Sequence, residues 1–126
     1  MKQVIATNEA PGAIGPYSQA ISANGFVFCS GQIPIDPATG AFVPGGVEEQ
    51  AEQCLKNLGA VLSAAGCSYA DVVKTTVFLT DMNDFAAVNA VYARFFESEC
   101  PARSAVEIGS LPKGALVEVE AIAAKA

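Results

Sequence analysis

A chain of 126 residues is long enough to bury roughly 65–70% of its unfolded surface in a single core, and residues 1–126 read as one domain. The formal net charge of −6, with seven Lys and Arg scattered among thirteen Asp and Glu, excludes a phosphate-tracking nucleic-acid binder, whose affinity comes from clustered basic groups releasing counterions. Hydrophobic residues make up 52% and charged residues only 16%, a thin polar coat that predicts an oligomer in which another subunit covers part of the apolar surface.

In chain order, Val4–Thr7 reads as a first strand. Tyr17–Ser22 and Phe26–Ser30 flank Ala23-Asn24-Gly25, and the Asn-Gly pair predicts an antiparallel hairpin. Gly31–Gly46 is rich in Gly and Pro and reads as a loop or irregular hairpin with a tight turn at Asp36-Pro37-Ala38-Thr39-Gly40. From Val47 the period turns helical: Val47, Ala51, Cys54, Leu55, Leu58, Val61, Leu62 and Ala65 share one face. Glu48 and Glu49 favour the helix start and Gly66 supplies its stop.

Val72–Leu79 is β-branched and reads as a strand. A second helix, capped by Asp81 or Asn83, carries Phe85, Val88, Tyr92, Phe95 and Phe96 toward the core until Pro101 ends it. Arg103–Ile108 and Leu116–Ala123 complete the sheet. The order β-β-β-α-β-α-β-β predicts an α+β fold, with right-handed crossovers that put both helices on one face of a mixed sheet. In the last strand Val117, Val119, Ala121 and Ala123 alternate with Leu116, Glu118, Glu120 and Ile122, so the face without helices is expected to carry carboxylates among apolar groups. Such a surface suits a subunit interface enclosing a polar site.

The chain has no histidine, which removes Ser-His-Asp and Cys-His catalysis together with the commonest transition-metal ligand. Arg, Glu, Tyr, Ser, Cys, Lys, backbone groups and water remain for chemistry, and neither a metal nor a cofactor is expected. Cys29, Cys54, Cys67 and Cys100 lack C-x-x-C spacing and read as reduced packing residues. Pro44-Gly45-Gly46 precedes a helix but lacks the pattern of a nucleotide-binding loop. No signal-peptide pattern and no membrane-length apolar run are seen, so a cytoplasmic protein without a membrane partner is expected.

Two segments carry a resemblance: Pro101-Ala102-Arg103-Ser104-Ala105-Val106-Glu107 and Val117-Glu118-Val119-Glu120-Ala121-Ile122-Ala123. Together with Ala13 to Ala20, Ser30 to Pro34, Val73 to Leu79 and Phe85 to Asn89, they match in order the pattern of the RidA/YjgF family. The resemblance implies a chorismate-mutase-like fold assembled as a homotrimer, with a central β-barrel and ligand clefts between subunits. It also implies hydrolysis of reactive 2-imino acids, 2-iminobutanoate and 2-iminopropanoate, to 2-keto acids and ammonia.

Carried onto this chain, the resemblance makes Arg103 the grip on the substrate carboxylate and Glu118 the group that positions water. A planar fork of donors suits the first role, although read without the family Arg103 is more ordinarily a surface partner of Glu107 or of a last-strand carboxylate. Glu118 is likewise ambiguous without it, since alternate glutamates on a strand usually mark a solvated face. Tyr17, the Ser30 and Gly31 backbone and Asn89 are implied to line the cleft, a buried tyrosine and a satisfied core amide being the alternatives for Tyr17 and Asn89. At position 105 many relatives have cysteine; Ala105 still offers the backbone through which the family makes its contacts there. Readings from other classes are a non-catalytic module that senses small 2-keto acids through the Arg103 pocket, an RNA-cleaving protein and a chaperone-like holdase.

Overall fold

The computed structural model describes residues 1–125. Six strands, β1 (Gln3–Ile5), β2 (Ala20–Ala23), β3 (Phe26–Gln32), β4 (Val72–Leu79), β5 (Ala102–Glu107) and β6 (Val117–Ala124), form one sheet in the order β1-β2-β3-β6-β4-β5. The hairpin forms at the Asn-Gly pair: Asn24 and Gly25 both have positive φ (52° and 81°), the turn whose twist matches its strands, and Ala23 pairs with Phe26 across it. β4 and β5 are parallel and every other pairing is antiparallel, so the α+β expectation of a mixed sheet holds.

Helix α1 (Val47–Ala64) lies between β3 and β4, and α2 (Phe85–Ala93) between β4 and β5. Glu49 Oε1 accepts the orphan Gly46 N–H at 2.8 Å at the start of α1. At its end Cys67 N–H donates to Leu62 O at 2.8 Å and Gly66 N–H to Ser63 O at 3.0 Å, the Schellman arrangement that the +80° φ of Gly66 permits. The predicted stripe is buried: Leu55, Leu58, Val61 and Leu62 are fully inside, each such side chain contributing roughly 1.5–3 kcal/mol of transfer free energy. They pack with Val27, Val77, Leu79, Val117 and Val119, so both helices cover one sheet face.

Element ends differ from expectation where side-chain pattern and backbone pairing part company. Tyr17 and Ser18 precede rather than join β2, whose pairing starts at Ala20. Gly31 and Gln32 belong to β3, whose register opposite β6 is irregular between Cys29 and Gln32. A lone bridge between Ile35 and Phe42 closes the irregular hairpin that follows. Asp81 caps a 3₁₀ turn, accepting Asn83 N–H at 2.9 Å, before α2 begins at Phe85. Helix α2 stops at Ala93 and does not extend to Pro101; Phe96 reaches the core from the turn beyond it, stacked 4.6 Å from Tyr92.

The helix-free face is as the alternation predicts. Glu118 and Glu120 project there beside Ile122, opposite Phe78, Thr76 and Lys74 of β4, and Phe26 and Phe28 of β3 stand exposed on it. Among the described residues no helix is long and apolar enough to cross a membrane, and Cys29, Cys54, Cys67 and Cys100 are all free thiols. Cys100 departs from the packing role expected of all four, because the shortened α2 leaves it exposed.

Candidate functional site

The residues singled out from the sequence fall into two groups on opposite faces of the sheet. In β5 Arg103, Ala105 and Glu107 pair with Thr75, Val77 and Leu79 of β4, whose side chains point under the helices, whereas Glu118 pairs with Phe78 on the bare face. A single subunit therefore separates the fork from the carboxylate.

The first group is built where edge strand β5 meets α2. Arg103 Nη1 donates to Asn89 Oδ1 at 2.8 Å, and the guanidinium carbon lies 4.8 Å from the Tyr92 ring centroid and 5.3 Å from that of Phe85. The Asn89 amide thus serves the arginine, and Glu107 is occupied elsewhere, accepting Met82 N–H at 2.7 Å. Asn89, Tyr92, Cys100, Pro101 and Arg103 border a cavity of ≈ 400 Å³. Tyr92 is held by a 2.8 Å hydrogen bond to the Thr75 hydroxyl, and burial raises its phenol above the ordinary range, partly offset by that bond and by Arg103. Neutral ring and fixed cation together leave the outer edge of the guanidinium free for an anion.

Ala105 lies on the same strand. Ile108 N–H donates to Leu79 O at 2.8 Å, so by the two-residue alternation of an extended chain Arg103, Ala105 and Glu107 turn their own N–H and C=O toward the open edge. Ala105 brings backbone, not side-chain, chemistry to this rim.

The second group surrounds a cavity of ≈ 320 Å³ bordered by Ile14, Tyr17, Gly31, Ile33, Lys113 and Glu118, among others. Tyr17 is 52% exposed, at the mouth and outside the core, its hydroxyl accepting Ile14 N–H at 3.4 Å. Gln19, buried, ties the loop down: Nε2 donates to Pro11 O at 2.7 Å and Oε1 accepts Thr7 N–H at 2.7 Å. Ser30 N–H donates to Gln19 O at 2.9 Å and its hydroxyl to Ser18 O at 2.6 Å, which leaves the hydroxyl oxygen able to accept. Glu118 folds over Gly31 so closely that any Cβ at position 31 would overlap its carboxylate. Half-burial, then the neighbouring Glu120, push the Glu118 carboxyl above the usual range.

Several members of this rim were not singled out from the sequence. Lys113 sits at φ 57° in the 3₁₀ turn Pro112–Gly114, and Gln19 and Asn57 act from within; only the Pro-Lys-Gly punctuation hinted at a turn. Asn57 Nδ2 donates to Ile35 O at 2.9 Å and Ile33 O at 3.2 Å, fixing the far wall of the cavity to α1. Among the described residues no cluster of His, Cys, Asp and Glu is placed to hold a metal ion.

Comparisons with known proteins cover nearly all of this framework. The profile of the family described as Endoribonuclease L-PSP matches residues 7–125. A mouse protein named 2-iminobutanoate/2-iminopropanoate deaminase is 54% identical over 123 residues, 98% of this chain and 91% of its own length. Among solved structures, a Rid-family protein from Yersinia pestis superposes with a TM-score of 0.96 at 54% identity, covering 98% of this chain and 99% of that one. TdcF from E. coli, solved with bound serine, gives 0.93 at 48% identity over 98% and 99% of the two chains.

Proposed function

Since the chain belongs to the Endoribonuclease L-PSP family, the RidA/YjgF proteins, we propose that it is a hydrolytic deaminase that converts 2-iminobutanoate and 2-iminopropanoate to 2-keto acids and ammonia. The observation that carries the reading is the Arg103 fork, pre-oriented by Asn89, Tyr92 and Phe85, in a chain matched over almost its full length by deaminases of that name.

Arg103 receives the substrate carboxylate through two parallel N–H···O bonds, with the outward backbone of Ala105 beside it. Glu118, in its ionised form, holds a water and takes one of its protons as the oxygen attacks the carbon of the protonated C=N bond. The tetrahedral carbinolamine then collapses: Glu118 returns its proton to the nitrogen, which leaves as ammonia as the C–N bond breaks, and the hydroxyl gives up its own proton to Glu118 as the oxygen becomes the keto group. Orientation and electrostatic placement supply the rate gain, and no cofactor takes part. Tyr17 and Gly31 line the Glu118 side of the cleft, Ser30 stands beside Tyr17 just outside that cavity, and Asn89 serves the arginine side.

Because Arg103 and Glu118 face opposite sides of the sheet, the site is completed by a second subunit. A homotrimer that buries the helix-free faces around a central β-barrel accounts for this and for exposed Phe26 and Phe28. A second reading, a binding module for small 2-keto or amino acids, is favoured by the serine held by TdcF. RNA cleavage, which the family's description names, finds little support in an acidic chain without histidine.

The test generates 2-iminobutanoate from threonine with a dehydratase and traps unreacted imine with semicarbazide. Loss of trapped imine with wild-type protein but not with Arg103→Ala or Glu118→Ala is the expected result. An unchanged trapped signal, with 2-oxobutanoate still bound through Arg103, would replace the enzyme by the binding module.

A further inference from the structure

We propose that Tyr92, pinned by Thr75, is a positioning residue that sets the plane in which the Arg103 guanidinium meets a carboxylate; the inference rests on Arg103 being the carboxylate grip.

An arginine on an exposed edge strand has a long, rotamer-rich side chain, and a bidentate contact uses only one orientation of its plane. Asn89 fixes one nitrogen and leaves the plane free to turn about that bond. The Tyr92 ring removes the remaining freedom by lying face-on beneath the guanidinium at 4.8 Å, with Phe85 at 5.3 Å as a second wall. The ring is itself held on several sides. Its hydroxyl meets Thr75 Oγ1 at 2.8 Å, Phe96 stacks on it at 4.6 Å, and it is only 6% exposed. Thr75 is wholly buried and is the residue directly beside Arg103 in the β4–β5 pairing. The strand that fixes the arginine's backbone thereby also fixes the ring under its side chain, and one framework sets both ends of the fork. A core tyrosine of purely structural value needs a polar partner, but not one in register with the arginine it supports.

The test uses the intact protein and side-chain NMR of its two arginines, Arg94 and Arg103, told apart by an Arg94→Lys variant. In the wild type, the Arg103 Hδ and Hε signals are expected to be displaced upfield by the ring currents; Tyr92→Leu should return them toward exposed-arginine positions. It should also weaken 2-oxobutanoate binding about three- to tenfold, the range of an exposed to partly desolvated cation–π contact, and add nothing in an Arg103→Ala background. Thr75→Val and Tyr92→Phe, which keep the packing volume if Tyr92→Leu fails to fold, should retain part of the displacement and narrow the Arg103 Nε–Hε signal as the side chain gains motion. Undisplaced Arg103 signals in the wild type, or a Tyr92→Leu binding loss that persists without Arg103, would overturn the proposal. Failure of the carboxylate reading looks different: displaced Arg103 signals in the wild type, yet unaltered 2-oxobutanoate binding in Arg103→Ala.

Discussion

The carboxylate of Glu118 lies against the bare backbone of Gly31, in space that a Cβ at position 31 would occupy. Gly31 is not among the glycines with positive φ, so its backbone accepts alanine without strain and the collision alone decides the outcome. Gly31→Ala should swing Glu118 away and lower kcat at least tenfold, within the roughly 10²–10⁴-fold worth of a positioned acid–base group, while the melting temperature changes little. Steady-state kinetics beside thermal denaturation check this; unchanged kcat would separate Glu118 from catalysis.

The raised Glu118 carboxyl has a pH signature of known sign. A group whose folded pKa lies above its unfolded value contributes stability below the unfolded pKa, and that contribution is lost as pH rises through the folded one. Glu118→Gln should therefore raise the melting temperature near neutrality and lose the advantage in acid. Wild-type activity should fall as pH drops through the same raised pKa, because only the ionised form accepts a proton from water. A Glu118→Gln protein less stable than wild type at neutral pH would contradict the desolvation account.

Ala105 exposes its backbone at the β5 edge while its side chain packs against the core. Ala105→Cys should leave imine hydrolysis within about twofold of wild type, since transition-state contacts that are not altered do not change the rate. A large gain or loss would assign the position a side-chain role.

Thiol reactivity should single out one cysteine. Burial, aided by Cys67, pushes the Cys29 thiol up to about 12; burial and then Glu118 raise Cys54, and burial and then Asp71 raise Cys67. Cys100 is exposed beside Arg103. A disulfide reagent at neutral pH should label Cys100 alone in the folded protein and all four cysteines after unfolding, with labelling weakening 2-oxobutanoate binding and Cys100→Ser protecting it. Mass spectrometry of the labelled peptides decides it.

Asn57 holds the Ile33–Ile35 wall from within α1 and accepts Gln53 Nε2 at 2.8 Å. Asn57→Ala leaves the buried Ile35 carbonyl unpartnered, while Ile33 O keeps the Ile35 N–H at 2.8 Å, and should cost about 1–3 kcal/mol, seen in urea unfolding, together with a raised KM as the wall loosens. A loss below about 0.5 kcal/mol, the ordinary range for an inert surface change, would show the contacts to be incidental.

The sequence by itself determined the local grammar: the Asn-Gly hairpin, the stripe from Val47 to Ala65, the Gly66 stop, and the alternation that sends Val117 and Glu118 to opposite faces. These follow from periods of 3.6 and 2 and from backbone conformations that few residues adopt, all properties of neighbours in the chain. The family pattern added Arg103 and Glu118 as partners in one site. Only the tertiary structure decided that β6 inserts between β3 and β4, that Arg103 shares its face with Tyr92 and Thr75, that exposed Asn89 is spent on Arg103, and that Asn57 and Gln19 are spent inside the molecule. Alternation of Val117 and Val119 with Glu118 and Glu120 tells which face of the last strand meets the helices but not which strands lie beside it, and a lone polar residue reads alike whether solvent or a buried carbonyl awaits it. Those outcomes depend on strands brought together across dozens of residues, where pairing partner and burial are set by the whole sheet and not by local composition.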